Sequence, residues 1–235
     1  MPARLRARLE RALGRKLGSF LRLQGAELGD AYGVGGIYRV GVSIANSIPA
    51  LGGLLEASYR VGIATQAAAR AEMLGLPEPS YIEPHVVAYA AQQSAARVVD
   101  INDATVRRIQ GVVTAATAEA QTLAETARAI RDALVGASRA RSFAIARTEV
   151  GSATAFGDHL AAKESGLKLL KQWLTAGDGG KRHPSYPGLN GQTREIDEPF
   201  DVGGAAMQFP LDPDGPAEEV VNCRCVLNYL PRGKQ

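Results

Sequence analysis

The sequence is poor in aromatic residues and in cysteine. Aromatic side chains make up 6% of the 235 residues, whereas hydrophobic residues, many of them alanine, make up 46%. Small apolar side chains favour closely packed helices over one thick core. The two cysteines, Cys223 and Cys225, are one residue apart, and a disulfide between them would close a strained ring. We therefore expect a protein of a reducing compartment, without a disulfide framework.

The sequence also lacks a long apolar segment. The longest run without a charged residue extends from Val40 to Leu55 and contains a proline and several glycines. This run is shorter than the ~20 residues that a helix needs to cross a bilayer. The basic N-terminal segment is not followed by a sustained apolar stretch of the kind found in signal peptides. We expect a soluble protein without a signal peptide or a membrane span.

Length and pattern predict three regions and a mainly helical fold. The chain exceeds the usual size of one small domain. Residues 1–78 are predicted to be a basic amphipathic helix and a Gly/Ala-rich helical region. This region is expected to dock on a partner or to fold only against one. Residues 79–166 are predicted to be a helical stalk, and residues 167–235 a small unit of strands and loops. The predicted fold class is mainly α with a small α+β C-terminal domain.

The net charge of +3 conceals a strongly basic N-terminal segment. Residues 4–23 are predicted to form an amphipathic helix, with leucines on one side and arginines on the other. The basic residues are Arg4, Arg6, Arg8, Arg11, Arg15, Lys16 and Arg22. Two interpretations remain: a solvated face of a packed helix, or a surface that binds DNA phosphates or an acidic protein. Because no base-reading motif is present, any DNA binding should be independent of DNA sequence.

The middle of the chain is predicted to form helices with small residues at their contacts. The Gly/Ala-rich stretch at residues 25–75 has no phosphate-binding loop, because no Gly-Lys-Ser/Thr follows its glycines. Pro84 suits the first turn of a new helix that runs toward Asp100. We interpret the glycines as sites of close helix packing.

A heptad pattern predicts an antiparallel helical hairpin in the stalk. Apolar residues recur at steps of three and four over 106–134, after a predicted cap at Asn102 or Asp103. We expect this helix to end at Gly136. A second helix, predicted at 138–164, continues the same period, so the two helices should pair across a turn at Gly136.

The last region is rich in glycine, proline, aspartate and asparagine, and no helical period persists in it. Short strands are predicted at 192–196 and 220–229. Residues 167–174 fit either the end of a helix or an edge strand. We expect a small sheet that leans on the helices.

Cysteine and histidine near the two ends of this region suggest a structural zinc site. Cys223 and Cys225 on one strand would point to the same face, and His183 and Asp178 would complete a tetrahedral set. A bound zinc would stabilise a unit that is too small to rely on its core. The alternative is that both cysteines are buried packing residues and no cofactor is bound. Arg224, on the other face, is expected at an interface or in a salt bridge.

Several short motifs occur in a fixed order in the second half of the chain. They are Ala146-Arg147-Thr148-Glu149, Trp173 with Gly177-Asp178, Leu189-Asn190-Gly191-Gln192, Glu198-Pro199-Phe200, Phe209-Pro210 and Glu219-Val220-Val221-Asn222-Cys223-Arg224-Cys225. In this order and spacing they resemble the phage Mu F-like family of minor head, or head morphogenesis, proteins over roughly residues 103–230. Family-motif positions expected to be structural are Arg147, Thr148, Glu149, Trp173, Asp178, Gly191, Asn222, Cys223, Arg224 and Cys225.

The resemblance implies a structural protein of a tailed phage or a phage-derived particle. Such a protein is made in the bacterial cytoplasm and lies in the capsid interior near the portal. The implied partners are the portal protein, inner capsid or scaffold proteins, and packaged double-stranded DNA, whose packaging or delivery it would assist. No catalytic activity is implied for the shared domain. Family members commonly have a histidine at the position of Tyr186, whereas His183 here lies three residues earlier.

Two alternatives remain from the residues themselves. The first is a non-specific DNA-binding or ejected protein, which the basic N-terminal segment favours. The second is a small metal-dependent hydrolase or nuclease that uses His183, Asp178 and Glu149. These three residues lie on different predicted elements and include no nucleophile–base pair, so this interpretation is the least favoured.

Overall fold

The structure is a computed structural model, and it describes residues 3–77, 79, 82–176 and 186–232. The fold is mainly α with a small C-terminal α+β part, as predicted. The elements, in chain order, are α1 (Ala3–Met73), α2 (Glu83–Ala118), α3 (Leu123–Lys163), β1 (Leu169–Leu174), α4 (Tyr186–Leu189), β2 (Thr193–Glu195), β3 (Phe200–Val202), β4 (Ala205–Met207), α5 (Ala217–Val220) and β5 (Val226–Pro231).

The chain forms two compact units, and each draws on separated parts of the sequence. We call the unit of Arg11–Glu56 and Ala91–Ala144 the bundle unit. We call the unit of Met1–Glu10, Ala57–Ala90 and Ile145–Gln235 the sheet unit, because all the strands lie in it.

Helix α1 reverses its direction at Gly35-Gly36. Gly36 has φ 59° and ψ −150°, a conformation that glycine adopts far more readily than other residues. Gln24 Nε2 donates a hydrogen bond to Ser47 Oγ at 2.8 Å. Because these two residues are nearly equidistant from the reversal, the parts of α1 before and after it run antiparallel within the bundle unit. We call residues 3–34 the first limb and residues 37–73 the second limb.

The bundle unit is built from parts of both limbs, α2 and α3. All four contribute to one apolar cluster, which contains Leu28, Val40, Ile44, Ile109, Ile130 and Leu134. Glycines in the first limb allow α3 to come close: a Cβ added to Gly25 would lie 2.8 Å from Leu134 Cβ. Arg141 Nη2 of α3 donates a hydrogen bond to the carbonyl oxygen of Ile101 in α2 at 2.6 Å. The predicted close packing through small residues is therefore present at Gly25, but Gly41 and Gly53 have no neighbouring atom within 4 Å.

The antiparallel pairing of α2 and α3 is confirmed, but the predicted turn at Gly136 is wrong. Helix α2 ends at Ala118, and α3 passes through Gly136 without interruption. The turn precedes Leu123, where Thr122 and Glu125 cap α3 reciprocally. The Thr122 N–H donates to Glu125 Oε2 at 2.7 Å, and the Glu125 N–H donates to Thr122 Oγ1 at 3.3 Å. The apolar period crosses this turn, so periodicity alone did not reveal it.

The predicted cap at Asn102 or Asp103 is also wrong, because α2 is continuous from Glu83 to Ala118. Asn102 is buried inside α2, and its Oδ1 accepts a hydrogen bond from Gln24 Nε2 at 3.5 Å. The helix expected to begin at Pro84 begins one residue earlier, at Glu83.

The sheet unit contains an antiparallel sheet in the order β2-β1-β5 and a separate β3-β4 hairpin. The stretch that fitted a helix end or an edge strand is strand β1, with Trp173 opposite Leu227 of β5. Trp173 and Phe200 are fully buried, and their rings meet edge-on with centroids 5.2 Å apart. The predicted strand at 192–196 corresponds to β2.

The predicted strand at 220–229 is only partly correct. Val220 ends the short helix α5, and strand β5 begins at Val226. Asn222, between them, has φ 62°, which an extended strand does not allow. The alternation expected through Val221, Cys223, Cys225 and Leu227 holds for the last three, which are buried, but Val221 is exposed.

Within the described residues, α1 contains a helical segment that is long and apolar enough to cross a membrane by length and composition, contrary to the expectation from the sequence. This is a weak indication, because single helices of non-membrane proteins also pass such a test.

Candidate functional site

Two family motifs that are far apart in sequence contact each other in the sheet unit. Arg147 Nη1 in α3 donates a hydrogen bond to Asn222 Oδ1 at 3.1 Å. The Asn222 N–H donates to Thr148 Oγ1 at 3.1 Å. Asn222 has a left-handed backbone, which asparagine tolerates better than most residues. The Arg147-Thr148 pair thus fixes the turn that leads into Cys223.

Glu149 is buried and connects α3 to the second limb of α1. Its side chain is 5% exposed, and its Oε2 accepts a short hydrogen bond from the Tyr59 hydroxyl. A buried carboxylate held by a tyrosine stabilises helix packing. Of the three residues assigned to a hydrolase, His183 and Asp178 lie outside the described residues, so that arrangement stays a prediction.

Cys223 and Cys225 are both 1% exposed and belong to the apolar cluster around Trp173. They are not joined by a disulfide. Among the residues that the structure describes, no group of three or more His, Cys, Asp or Glu side chains could hold a metal ion. Since the other two proposed ligands, His183 and Asp178, are not described, the zinc site stays a prediction.

The remaining motif residues support the sheet. The Gly191 N–H donates to the Trp173 carbonyl at 2.8 Å, and Gly191 has φ 83°, which favours glycine. Arg224 is exposed between the two buried cysteines, as expected for a residue on the other face. The backbone at Tyr186 begins the short helix α4.

A basic groove lies in the bundle unit, between the first limb and α3. It has a volume of about 560 Å³ and is lined by Arg11, Gly14, Arg15, Gly18, Ser19, Arg22, Ser138, Arg139, Ser142 and Phe143. All four arginines are exposed, and no acidic residue lines the groove. We call this feature the arginine groove.

Small residues form the floor of the arginine groove. A Cβ added to Gly14 would lie 2.8 Å from the Phe143 ring, and one added to Gly18 would lie 3.2 Å from Ser142 Oγ. The helices therefore come close together here. Exposed guanidinium groups along one groove suit a polyanion, because each can contact a phosphate.

The predicted basic surface is thus divided in the structure. Arg11, Arg15 and Arg22 line the arginine groove, whereas Lys16 is exposed but does not line it. Arg6 belongs to the sheet unit, where its Nε donates to Glu10 Oε1 at 2.9 Å. The other two predicted residues, Arg4 and Arg8, are exposed in the same unit.

Arg139 is the groove residue that the sequence did not reveal. It lies in α3, 117 positions after Arg22, and close to the position where a turn was expected. The nearby run Ser138-Arg139-Ala140-Arg141 is basic and was available as a signal. Its relation to the N-terminal arginines depends on the packing of α3 on the first limb.

Two basic side chains are buried in the sheet unit, His159 in α3 and Lys171 in β1. Burial, together with nearby lysines, lowers the pKa of His159 to about 3. Burial also lowers the pKa of Lys171 to about 8, although Asp197 and Asp212 oppose that effect. Lys171 Nζ donates to Gln208 Oε1 at 2.6 Å and to the Gln208 carbonyl at 3.0 Å. We therefore expect the stability of the sheet unit to depend on pH.

A comparison with protein families finds one family whose model matches the part of the chain that contains the motifs. The family model described as Phage Mu protein F like protein matches residues 107–228, slightly more than half of the chain. The matched range contains the Arg147-Thr148 pair, Trp173, Gly191 and the Asn222 turn.

One curated relative is the uncharacterized protein YqbB of Bacillus subtilis strain 168. It is 35% identical to this chain over 100 residues, which cover 41% of this chain and 32% of the relative. The match thus spans about a third of the relative's length. No solved structure matches the chain.

Proposed function

The chain belongs to the family of Phage Mu protein F like proteins, and we propose that it is a minor head protein located in the capsid interior at the portal vertex. Membership suggests a head morphogenesis protein of a tailed phage or a phage-derived particle. In this proposal the protein acts by binding portal, inner capsid or scaffold proteins and catalyses no reaction.

The observation that carries this proposal is the contact between the two family motifs. Asn222 accepts a hydrogen bond from Arg147 through its side chain and donates one to Thr148 through its backbone N–H, and Glu149 is buried against Tyr59. The residues that resemble the family thus hold the sheet unit in shape. A protein whose shared residues maintain a rigid fold suits a role in which its surface occupies a fixed place in an assembly.

Particle production tests the assembly role. Deletion of the gene from the phage or prophage should reduce the yield of DNA-filled heads, and the wild-type chain supplied in trans should restore it. Asn222→Ala, which disturbs the motif contact, should restore it less well than Lys168→Ala, an exposed change in the same unit. Normal yields of infectious or transducing particles after deletion would contradict the proposal.

A second function, contact with packaged double-stranded DNA, is favoured by the arginine groove. Four exposed arginines and no acidic residue line it. Such a surface displaces counterions from the phosphate backbone, and this supplies affinity without reading bases. Contact of this kind would let the protein take part in packaging or delivery of the DNA.

Binding of the purified full chain to duplex DNA tests this second function. The double variant Arg11→Ala, Arg15→Ala should weaken binding and lower the slope of log K against log salt by about 2, since each lost phosphate contact lowers it by about 0.9. The matched variant Arg107→Ala, Arg128→Ala removes the same charge from exposed positions of the bundle unit. An equal loss of DNA affinity in both double variants would show that the arginine groove is not the DNA site.

A further inference from the structure

A small cavity in the sheet unit brings together four parts of the chain that are distant in sequence. Its volume is about 170 Å³. The lining residues are Arg6 from the first limb, Gln66 and Arg70 from the second limb, Thr154, Ala155 and Asp158 from α3, and Cys225, Val226 and Leu227 at the start of β5. The lining combines apolar side chains with two guanidinium groups, one carboxylate and the Gln66 amide.

An ion pair holds part of the polar lining. Arg70 donates from Nε to Asp158 Oδ1 at 2.8 Å and from Nη2 to Asp158 Oδ2 at 2.9 Å. Gln66 Nε2 donates to Asp158 Oδ1 at 2.7 Å. Because the carboxylate accepts only, this bond fixes which end of the Gln66 amide is the nitrogen.

The Gln66 carbonyl oxygen has no donor within the described residues. Gln66 is 4% exposed, and Oε1 is buried without a hydrogen-bond partner there. A buried carbonyl that has lost its hydration and gained no donor destabilises the fold, so such groups usually face a water or a ligand. Oε1 itself has almost no accessible surface, so a donor in the cavity that Gln66 lines reaches it only after the Gln66 side chain turns toward the cavity.

Arg6 provides a second cationic group beside the cavity. Its Nε is bonded to Glu10, and its Nη2 lies 3.5 Å from the Cys223 carbonyl oxygen, a marginal hydrogen bond. A Cβ on Gly151 would lie 2.7 Å from Arg6 Nη2. The absence of a side chain at Gly151 thus makes room for the guanidinium. Arg6 Nη1 and Arg70 Nη1 donate to no residue that the structure describes.

We propose that this cavity binds the C-terminal carboxylate of a peptide segment from a partner protein. The carboxylate would accept hydrogen bonds from Arg6 and Arg70. The N–H of the terminal residue would donate to Gln66 Oε1, and its side chain would pack on Ala155 and Leu227. Captured C-terminal carboxylates are a recurring mode of peptide recognition.

Other small ligands match fewer of these groups. A sulfate or phosphodiester accepts from arginine but offers no donor to Gln66 Oε1, and it leaves the apolar lining unfilled. Among the lining residues a cation would face two guanidinium groups and one carboxylate, because Glu10, the partner of Arg6, does not line the cavity. A chain terminus has an anionic group, an adjacent N–H and an apolar side chain within one residue, and so it matches all three features.

The test is an NMR titration of the full chain with N-acetyl-glycyl-L-leucine at constant ionic strength. We expect saturable shifts at Gln66 and Ala155, with a Kd on the order of 1 mM for so small a ligand. The C-terminal amide of the same peptide lacks the charge. The depsipeptide analogue, in which an ester replaces the amide between glycine and leucine, keeps the charge but lacks the terminal N–H. Each should bind at least about 10-fold more weakly, since each loses one of the matched groups.

Variants locate the site. Arg6→Gln and Gln66→Leu should each weaken binding of the free acid at least about 10-fold, whereas Lys168→Gln, an exposed change in the same unit, should not. Gly151→Ala displaces the Arg6 guanidinium and keeps every polar group, so it should also weaken binding even if Gln66→Leu fails to fold. Equal affinity for acid, amide and acetate, unchanged binding in Arg6→Gln, or no saturable shift at 20-fold the expected Kd would each overturn the proposal.

Discussion

Arg147 Nη1 donates a hydrogen bond to Asn222 Oδ1 at 3.1 Å, across 75 residues of sequence. This bond joins α3 to the left-handed turn between α5 and β5. We expect Asn222→Ala to lower the free energy of unfolding by about 2 kcal/mol, because alanine loses the bond to a charged donor and tolerates a positive φ poorly.

Asn222→Gly separates these two effects. Glycine accepts φ 62° freely, so this variant should lose only the side-chain bond and be the less destabilised of the two. Urea unfolding of the full chain measures both. Wild-type stability in Asn222→Ala would mean that the contact does not hold the turn.

Replacement of two glycines in α3 by alanine should change the free energy of unfolding in opposite directions. A Cβ on Gly157 would lie 2.4 Å from the Ile63 carbonyl oxygen, a backbone atom, so Gly157→Ala should destabilise by about 1–3 kcal/mol. Gly136 has no such neighbour within 4 Å and lies inside the helix. Gly136→Ala should therefore stabilise by about 0.5–1 kcal/mol.

Thermal unfolding of the two glycine variants checks this pair. Gly136→Ala also tests the position of the helix turn, because a glycine in a turn with positive φ would make the alanine variant less stable. If Gly136→Ala destabilised the protein, the turn would lie at Gly136, as the sequence predicted.

His159 should make the protein sensitive to mild acid. Its pKa is about 3 in the folded chain, chiefly through burial, against an ordinary value of 6.5. Between those values the unfolded chain binds a proton that the folded chain does not, so stability falls as pH falls below 6.5. The loss attributable to His159 should be about 2 kcal/mol at pH 5. His159→Gln should lose less stability than wild type between pH 7.5 and 5, measured by urea unfolding.

Lys171 should act at alkaline pH. Burial lowers its pKa to about 8 from an ordinary value of 10.5. From pH 8 to 10.5 the unfolded chain retains the proton that the folded chain releases, so stability rises with pH in this window. Lys171→Met should remove a rise of about 2 kcal/mol between pH 7 and 9.5. Identical pH profiles for Lys171→Met and wild type would show that the buried amine does not titrate in this range.

The fold class was predictable because its signals are local. Leucines at helical spacing marked the first limb, and Leu13, Leu17 and Leu21 are indeed buried. Alternation marked Cys223, Cys225 and Leu227 as residues of one buried face. The end of α2 was missed because the apolar period continues through it, although Thr122 and Glu125 carried a capping signal.

The sites depended on packing that no local pattern encodes. Arg6 and Arg11 belong to one basic segment, yet Arg6 lines a cavity of the sheet unit and Arg11 lines the arginine groove. Gln66 and Arg70 have helical i, i+4 spacing, but their partner Asp158 is about 90 residues away. Charge and spacing indicated which residues were available, and only the tertiary contacts divided them between sites.

The most direct test of the central claim is cross-linking mass spectrometry of intact, purified particles. If the protein is a minor head protein at the portal vertex, it should be present at low, constant copy number and cross-link to the portal protein, protected from external protease until the heads are opened. Cells that express the chain would supply the particles. If particles that contain the portal and packaged DNA lacked this protein, the proposed role would be wrong.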